Sequence, residues 1–236
     1  MEGPDRFPVS GMDRENHLSG AASLLVLAPH ADDEVLGCGA LLADWWRSGK
    51  QAHVVCLTDG GASHPRSAED VTLIRTRELA SAIEILGGDP RRDVTCLGYP
   101  DAALHEVPLR AVLSRLEDLI DRLGCRVLIA PSPLDPHCDH VTTASLAGQL
   151  VSRRPRLRLL YYPIWSRWAG GGEAPPVPGS RRFTYPVDTA LKQRAIEAHA
   201  SQHGRVIRDD PDGFTMPDGF ARMFAEGPEI FDERIG

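Results

Sequence analysis

No stretch of the sequence approaches the ~20 consecutive apolar residues of a membrane-spanning helix. Its opening residues, MEGPDRFPVSGMDRENHLSG, carry charge and proline where a secretory leader needs an apolar centre. A cysteine framework is also missing. The five cysteines (Cys38, Cys56, Cys96, Cys125 and Cys138) are odd in number and form no CxxC pair, which excludes a disulfide scaffold and a Cys-rich zinc site. They read as reduced thiols of a cytoplasmic protein. Positive charge is scarce: 26 basic residues against 33 acidic ones leave a formal charge of −7. Nucleic acid and anionic membrane surfaces are therefore poor partners, and small molecules are expected. There is no P-loop and no G-x-S-x-G nucleophile elbow, and Gly37-x-Gly39 lacks the third glycine of a dinucleotide fingerprint because Leu42 occupies its place. Close packing of a helix on a sheet is the better explanation of those two glycines.

With 236 residues, 42% of them hydrophobic, the chain can bury a core without disulfide or metal staples. One domain is expected over 21–236, preceded by a loosely ordered tail over 1–20. Short apolar, β-branched runs at 24–28, 53–58, 94–98, 126–130 and 157–162 read as strands, with a further edge strand at 181–187. Helical periods lie between them at about 33–48, 68–86, 108–123, 139–153 and 189–202. Ser67 and Asp70 form a capping-box pattern at the start of the second helix, and Gly49, Gly87 and Gly124 stand at helix ends. Strands buried on both faces that alternate with helices predict an α/β fold: a doubly wound, mostly parallel, Rossmann-like sheet with helices on both faces.

Open α/β sheets bind ligands at the carboxyl ends of their strands. PHADDE (29–34) follows the first strand, LGYPD (97–101) ends the third, and PSPLDPHCDH (131–140) follows the fourth. His30 and Asp33 are three apart, as are His137 and His140 with Asp139 between them, spacings that let side chains aim at one point. Two imidazoles and one carboxylate with an open fourth position make a usual catalytic zinc set. Three histidines and three carboxylates (His30, Asp32, Asp33, His137, Asp139 and His140) are available to be apportioned. The plainer alternative is that Asp32 and Asp33 only cap a helix and the histidines pack.

PHADDE and HCDH together resemble the paired signature of the LmbE-like, or PIG-L, zinc-dependent N-deacetylases. Arg75–Glu78–Ala82–Leu86–Gly87, LGYPD and Lys192–Ala195–His199–Ser201–Gln202 resemble further patterns of that family, so the likeness spans about 24–202. It implies His30, Asp33 and His140 as ligands of one Zn2+ per chain, or of another divalent ion such as Fe2+. It also implies Asp32 as general base, His137 as the group meeting the carbonyl oxygen or the leaving amine, and Asp139 as the residue orienting His137 and favouring its imidazolium form. Arg75 and Asp101 fall where family members contact substrate. The implied reaction removes an N-acetyl group from an amino sugar, a glycoconjugate or a related small amide. Two alternatives stand beside it: a metal-dependent phosphoesterase, and a catalytically silent carbohydrate-binding module on the same fold.

Two features remain unassigned by motif. The Gly/Pro-rich segment 169–180 is expected as a loop bordering the site, because it follows a strand whose end faces the same rim. Tyr161, Tyr162, Trp165 and Trp168 read equally as a platform for a sugar ring or as core packing.

Overall fold

The computed structural model describes Leu18, Ala21 and residues 23–235, so the tail expected over 1–20 falls, apart from Leu18, outside the described residues. The first half alternates β1 (Ser23–Ala28), α1 (Asp33–Arg47), β2 (Gln51–Thr58), α2 (Val71–Leu86), the single turn α3 (Pro90–Asp93), β3 (Val94–Tyr99) and α4 (Leu109–Leu123). The second half runs β4 (Val127–Pro131), α5 (Cys138–Ser152), β5 (Arg158–Tyr162), α6 (Trp165–Ala169), β6 (Ser180–Tyr185), α7 (Thr189–Glu197), α8 (Phe220–Glu226) and β7 (Glu229–Arg234). All seven strands form one sheet in the order β3-β2-β1-β4-β5-β7-β6. β1 to β5 are parallel, and β7 runs antiparallel to both β5 and β6. This is the doubly wound, mostly parallel Rossmann-like sheet, with helices on both faces.

Strand periodicity divides the core. Leu24, Val26 and Ala28 of β1 pack with α1, α2, α7 and α8 on one face, while Leu25 and Leu27 pack with α4 and α5 on the other. The chain order reverses between β1 and β4, so the crevice of an open sheet lies beyond their carboxyl ends. PHADDE and PSPLDPHCDH emerge at that point.

Several local expectations change. α2 starts at Val71 with Asp70 as its cap, accepting the Leu73 N–H at 2.9 Å, while the Ser67 hydroxyl donates to Asp209 at 2.7 Å. The helix expected over 189–202 stops at Glu197 and resumes as a 3₁₀ turn at Ala200–His203. Segment 169–180 does not border the site. It descends from α6 to Ser180, which pairs with Arg234 at the amino-terminal edge of the sheet, and the Val177 N–H donates to Asp232.

Candidate active site

Three histidines converge past β1 and β4. The ring centroid of His30 lies 4.6 Å from His137 and 5.4 Å from His140. Asp33 sits between two of them, its Oδ2 being 3.2 Å from His30 Nδ1 and 3.3 Å from His140 Nε2. Its carboxylate also accepts the His30 backbone N–H at 3.0 Å, which closes the turn into α1. Asp33 thus bridges His30 and His140, while two groups that share His30, namely His30 with His137 and His140 and His30 with Asp101 and Asp139, each bring three donor atoms within 4.8 Å of one another.

The next ring of contacts fixes these side chains. His140 Nδ1 lies 3.0 Å from Asp135, whose carboxylate also accepts the backbone N–H groups of Ile164 and Ser166 and the Ser166 hydroxyl. Asp135 is a positioning residue that sequence reading missed: it stands within PSPLDPHCDH, but its partners lie past β5. His30 Nε2 is 3.1 Å from both Asp139 and Asp101. The Asp139 carboxylate further accepts the Ala102 and Leu104 N–H groups, so it supports His30 and the loop after β3. Only its backbone N–H reaches His137, donating to Nδ1 at 3.2 Å.

That contact makes His137 the cap of α5 and, in the neutral ring, leaves the proton on Nε2. Burial, followed by the neighbouring His30 and His140, holds the His137 pKa below the ordinary histidine value, so the imidazolium expected from Asp139 is not favoured. Burial alone would lower the pKa of His140, but the charge of nearby Asp33 and the hydrogen bond to Asp135 push it up to about 9. His30 is likewise raised against burial by Asp101, Asp139 and Asp33.

Asp32 is set apart. It makes no capping hydrogen bond, against the plainer reading of this residue, and its backbone is held at φ 138°, a strained conformation for a side chain. Its N–H donates to Glu34 at 3.0 Å, and Glu34 in turn lies 3.4 Å from fully buried His199. Burial pushes the Asp32 carboxyl up to about 6, although Arg75 beside it pulls the other way. Arg75 is buried and donates to the carbonyl oxygens of Gly60 and Ala31 at 3.2 and 2.8 Å, with Asp32 at 3.4 Å. It still borders the cavity, as does Asp101, which also accepts the Ala62 N–H. Glu78, three residues on from Arg75, accepts the Ser201 N–H and hydroxyl at 2.7 and 2.6 Å. Two motifs far apart in sequence thereby lock together behind Asp32.

The donor set suits a divalent cation. His140 Nε2 is fully buried and without a hydrogen-bond partner, facing Asp33 Oδ2, while its other nitrogen is held by a carboxylate. That pattern fixes the tautomer of a metal-binding histidine. Above this centre opens a cavity of about 430 Å³ bordered by His30, Asp32, Asp33 and His137.

The fold and this centre define the class: a metal-dependent hydrolase built at the crevice of a Rossmann-like sheet. A family profile described as PIG-L: GlcNAc-PI de-N-acetylase matches residues 25–151. The chain is also 30% identical over 150 residues to the Uncharacterized deacetylase YaiS of Escherichia coli (strain K12), covering 61% of this chain and 75% of that protein. The chain belongs to the PIG-L family. Among solved structures, the N,N'-diacetylchitobiose deacetylase from Pyrococcus horikoshii, complexed with its inhibitor MPG, is similar at TM-score 0.65 and 22% identity, covering 81% of this chain and 74% of that one. GalB, the 4-carboxy-2-hydroxymuconate hydratase from Pseudomonas putida KT2440, is similar at TM-score 0.59 and 22% identity, covering 86% and 82%. Both share the fold, and their differing chemistries leave the reaction to be argued from this chain's own site. Among the described residues no helix is long and apolar enough to cross a membrane.

Proposed function

We propose that the chain is a zinc-dependent N-deacetylase that hydrolyses the acetamide of an amino sugar or related small molecule to acetate and free amine. The observation that carries this reading is a carboxylate held out of the donor cluster: Asp32, strained, partly protonated near neutral pH and bordering the cavity beside His30, Asp33 and His140. A ligand set alone binds; a separate carboxylate beside it provides the base that hydrolysis needs.

His30, Asp33 and His140 would hold the ion, which when bound supplies Lewis acidity toward water and toward the amide carbonyl. Asp32 takes a proton from the attacking water, and its raised pKa suits it to return that proton to the departing nitrogen, which must leave as an amine. His137, with Nδ1 occupied by the Asp139 N–H, presents Nε2–H to the oxygen on which negative charge develops. Asp139 and Asp101 hold His30, and Arg75 fixes the carbonyls around Asp32.

The reading is tested by incubating the purified protein, loaded with Zn2+ or Fe2+, with N-acetylated amino sugars and with phosphomonoesters. Acetate release without phosphate release is expected. Phosphate release, or neither product, would overturn it.

A further inference from the structure

Cys138 is the member of HCDH that the proposed chemistry leaves unused. It is the first residue of α5 and is exposed, as is His105 in the 3₁₀ turn Leu104–Glu106 that follows β3. One donor atom each from His105, Cys138 and Asp139 lies within 4.8 Å of the other two. Neither His105 nor Cys138 borders the catalytic cavity, so this group of donors meets solvent outside it.

Asp139 joins the two places. Its side chain is fully buried, and the two oxygens of a carboxylate offer about four lone-pair positions between them. Two are taken at Oδ2, by His30 Nε2 at 3.1 Å and the Ala102 N–H at 2.8 Å, and a third at Oδ1 by the Leu104 N–H at 3.0 Å. The remaining position at Oδ1 has Cys138 Sγ 3.7 Å away. That separation is close to the edge, about 3.6 Å, of a tetrahedron built from Zn–S and Zn–O bonds of about 2.3 and 2.1 Å. The Cys138 thiol also reaches the Ala102 carbonyl oxygen at 3.3 Å. Among the described residues His105 has no ion-pair partner nearer than Glu106, 3.8 Å away at the surface, so its ring can turn toward the group. Fully buried Leu104 and its bond to Asp139 hold the turn against α5.

A thiolate, an imidazole and a carboxylate together favour a borderline-soft divalent ion over Mg2+ or Ca2+, which prefer shells of oxygen. Two anionic donors balance the charge of such an ion. Solvent would fill the fourth tetrahedral position and take up the thiol proton.

We propose that His105, Cys138 and Asp139 form a second metal site, for Zn2+ or an ion of its class, which clamps the turn after β3 to the first turn of α5. Asp101 and Ala102, just before that turn, border the cavity, so the clamp steadies one side of it without adding a reacting group. The inference is independent of which reaction the inner centre performs.

The test titrates the purified full chain with Cd2+, a thiophilic stand-in for Zn2+, and follows the thiolate-to-metal charge-transfer band in the ultraviolet. The oxygen and nitrogen donors of the inner centre are silent in that band. It is expected in the wild type, should vanish in Cys138→Ser, and should need at least about tenfold more Cd2+ in His105→Ala, since even outer partners of a metal contribute that much. Cys96→Ser, at the other exposed cysteine, should keep the band, and excess Mg2+ should not suppress it. Both Cys138→Ser and His105→Ala should retain the inner ion by elemental analysis. Further Zn2+ added to protein whose inner centre is already loaded should slow hydrogen exchange over 101–107 in the wild type and not in Cys138→Ser. No band in the wild type, a band undiminished in Cys138→Ser, unchanged affinity in His105→Ala or suppression by Mg2+ overturns the site. A band lost instead in Cys96→Ser would move the thiolate to the β2–β3 pair, and loss of the inner ion in Cys138→Ser would merge the two sites; each overturns the proposal as well. Unchanged exchange in a wild type that shows the band would overturn the clamp.

Discussion

Asp32 and His140 do opposite things with burial. His140 sits between two carboxylates with one nitrogen unpartnered, an arrangement that asks for a cation. Asp32 borders the cavity with its carboxyl raised toward neutrality, an arrangement that asks for a proton. Substituting them should therefore separate binding from chemistry. His30→Ala, Asp33→Ala and His140→Ala should each lose bound metal by elemental analysis, and full occupancy in all of them would refute the ligand set. Asp32→Asn should keep metal and lose ~10²–10⁴-fold in kcat, the usual contribution of an acid–base group, with little change in KM. The base must be deprotonated to act, so wild-type kcat should fall as pH drops below about 6, and the residual activity of Asp32→Asn should lack that acid limb. Near-normal turnover by metal-loaded Asp32→Asn would remove the residue from the mechanism.

At the scale of elements, β1, β2, β4 and β5 were legible because strands buried on both faces read as unbroken apolar runs, and the edge strand β3 was legible from its apolar, β-branched VTCLG. β7 was not. EIFDER is buried for most of its length, but Glu229 is neutralised by Lys192 at 2.6 Å and Asp232 by Arg182, so a polar sequence hides an interior strand. The metal-type residues were legible because close spacing at strand ends brings them together locally. Asp135, Phe214 and Met216 were not, since Asp135 has its partners past β5 and residues 205–219 carry no periodicity, whereas Trp165, which borders the cavity with Phe214 and Met216, stood out in sequence as either a ring platform or core packing. The glycine pair in α1 was read as close packing, and the structure divides it. A Cβ on Gly37 would stand 2.3 Å from Cδ2 of fully buried Tyr162, whose hydroxyl is held by Leu27 O, whereas one on Gly39 would meet Lys192 at an ordinary 3.7 Å. Gly37→Ala should thus cost about 1–3 kcal/mol by chemical denaturation, while Gly39→Ala should be neutral or gain up to about 1 kcal/mol from helix propensity. Equal effects at the two positions would show that Tyr162 yields.

For the whole molecule, a metal at the proposed centre would compete with protons for the same histidines, which ties stability to pH. The His140 pKa, near 9 when folded without metal, lies above its ordinary value of 6.5. A group raised on folding contributes its full stability below the unfolded value and loses it as pH climbs through the folded one. The metal-free protein should therefore shed this stabilisation between about pH 6.5 and 9. A bound ion takes the place of those protons and requires neutral imidazole, so its contribution grows over the same interval. The core packs on both faces of the sheet independently of the centre, so chelation should leave far-ultraviolet circular dichroism intact and lower only the Tm. At a hundredfold excess over Kd, metal adds about 2.7 kcal/mol, which for a chain of this size is ~5–10 °C. Scanning calorimetry of metal-loaded and chelated protein should show that gap widening from about pH 6.5 to about pH 8.5, as proton competition relaxes. A gap that stays constant or narrows would mean that the ion does not displace the His140 proton, and the centre would have to be built without that residue.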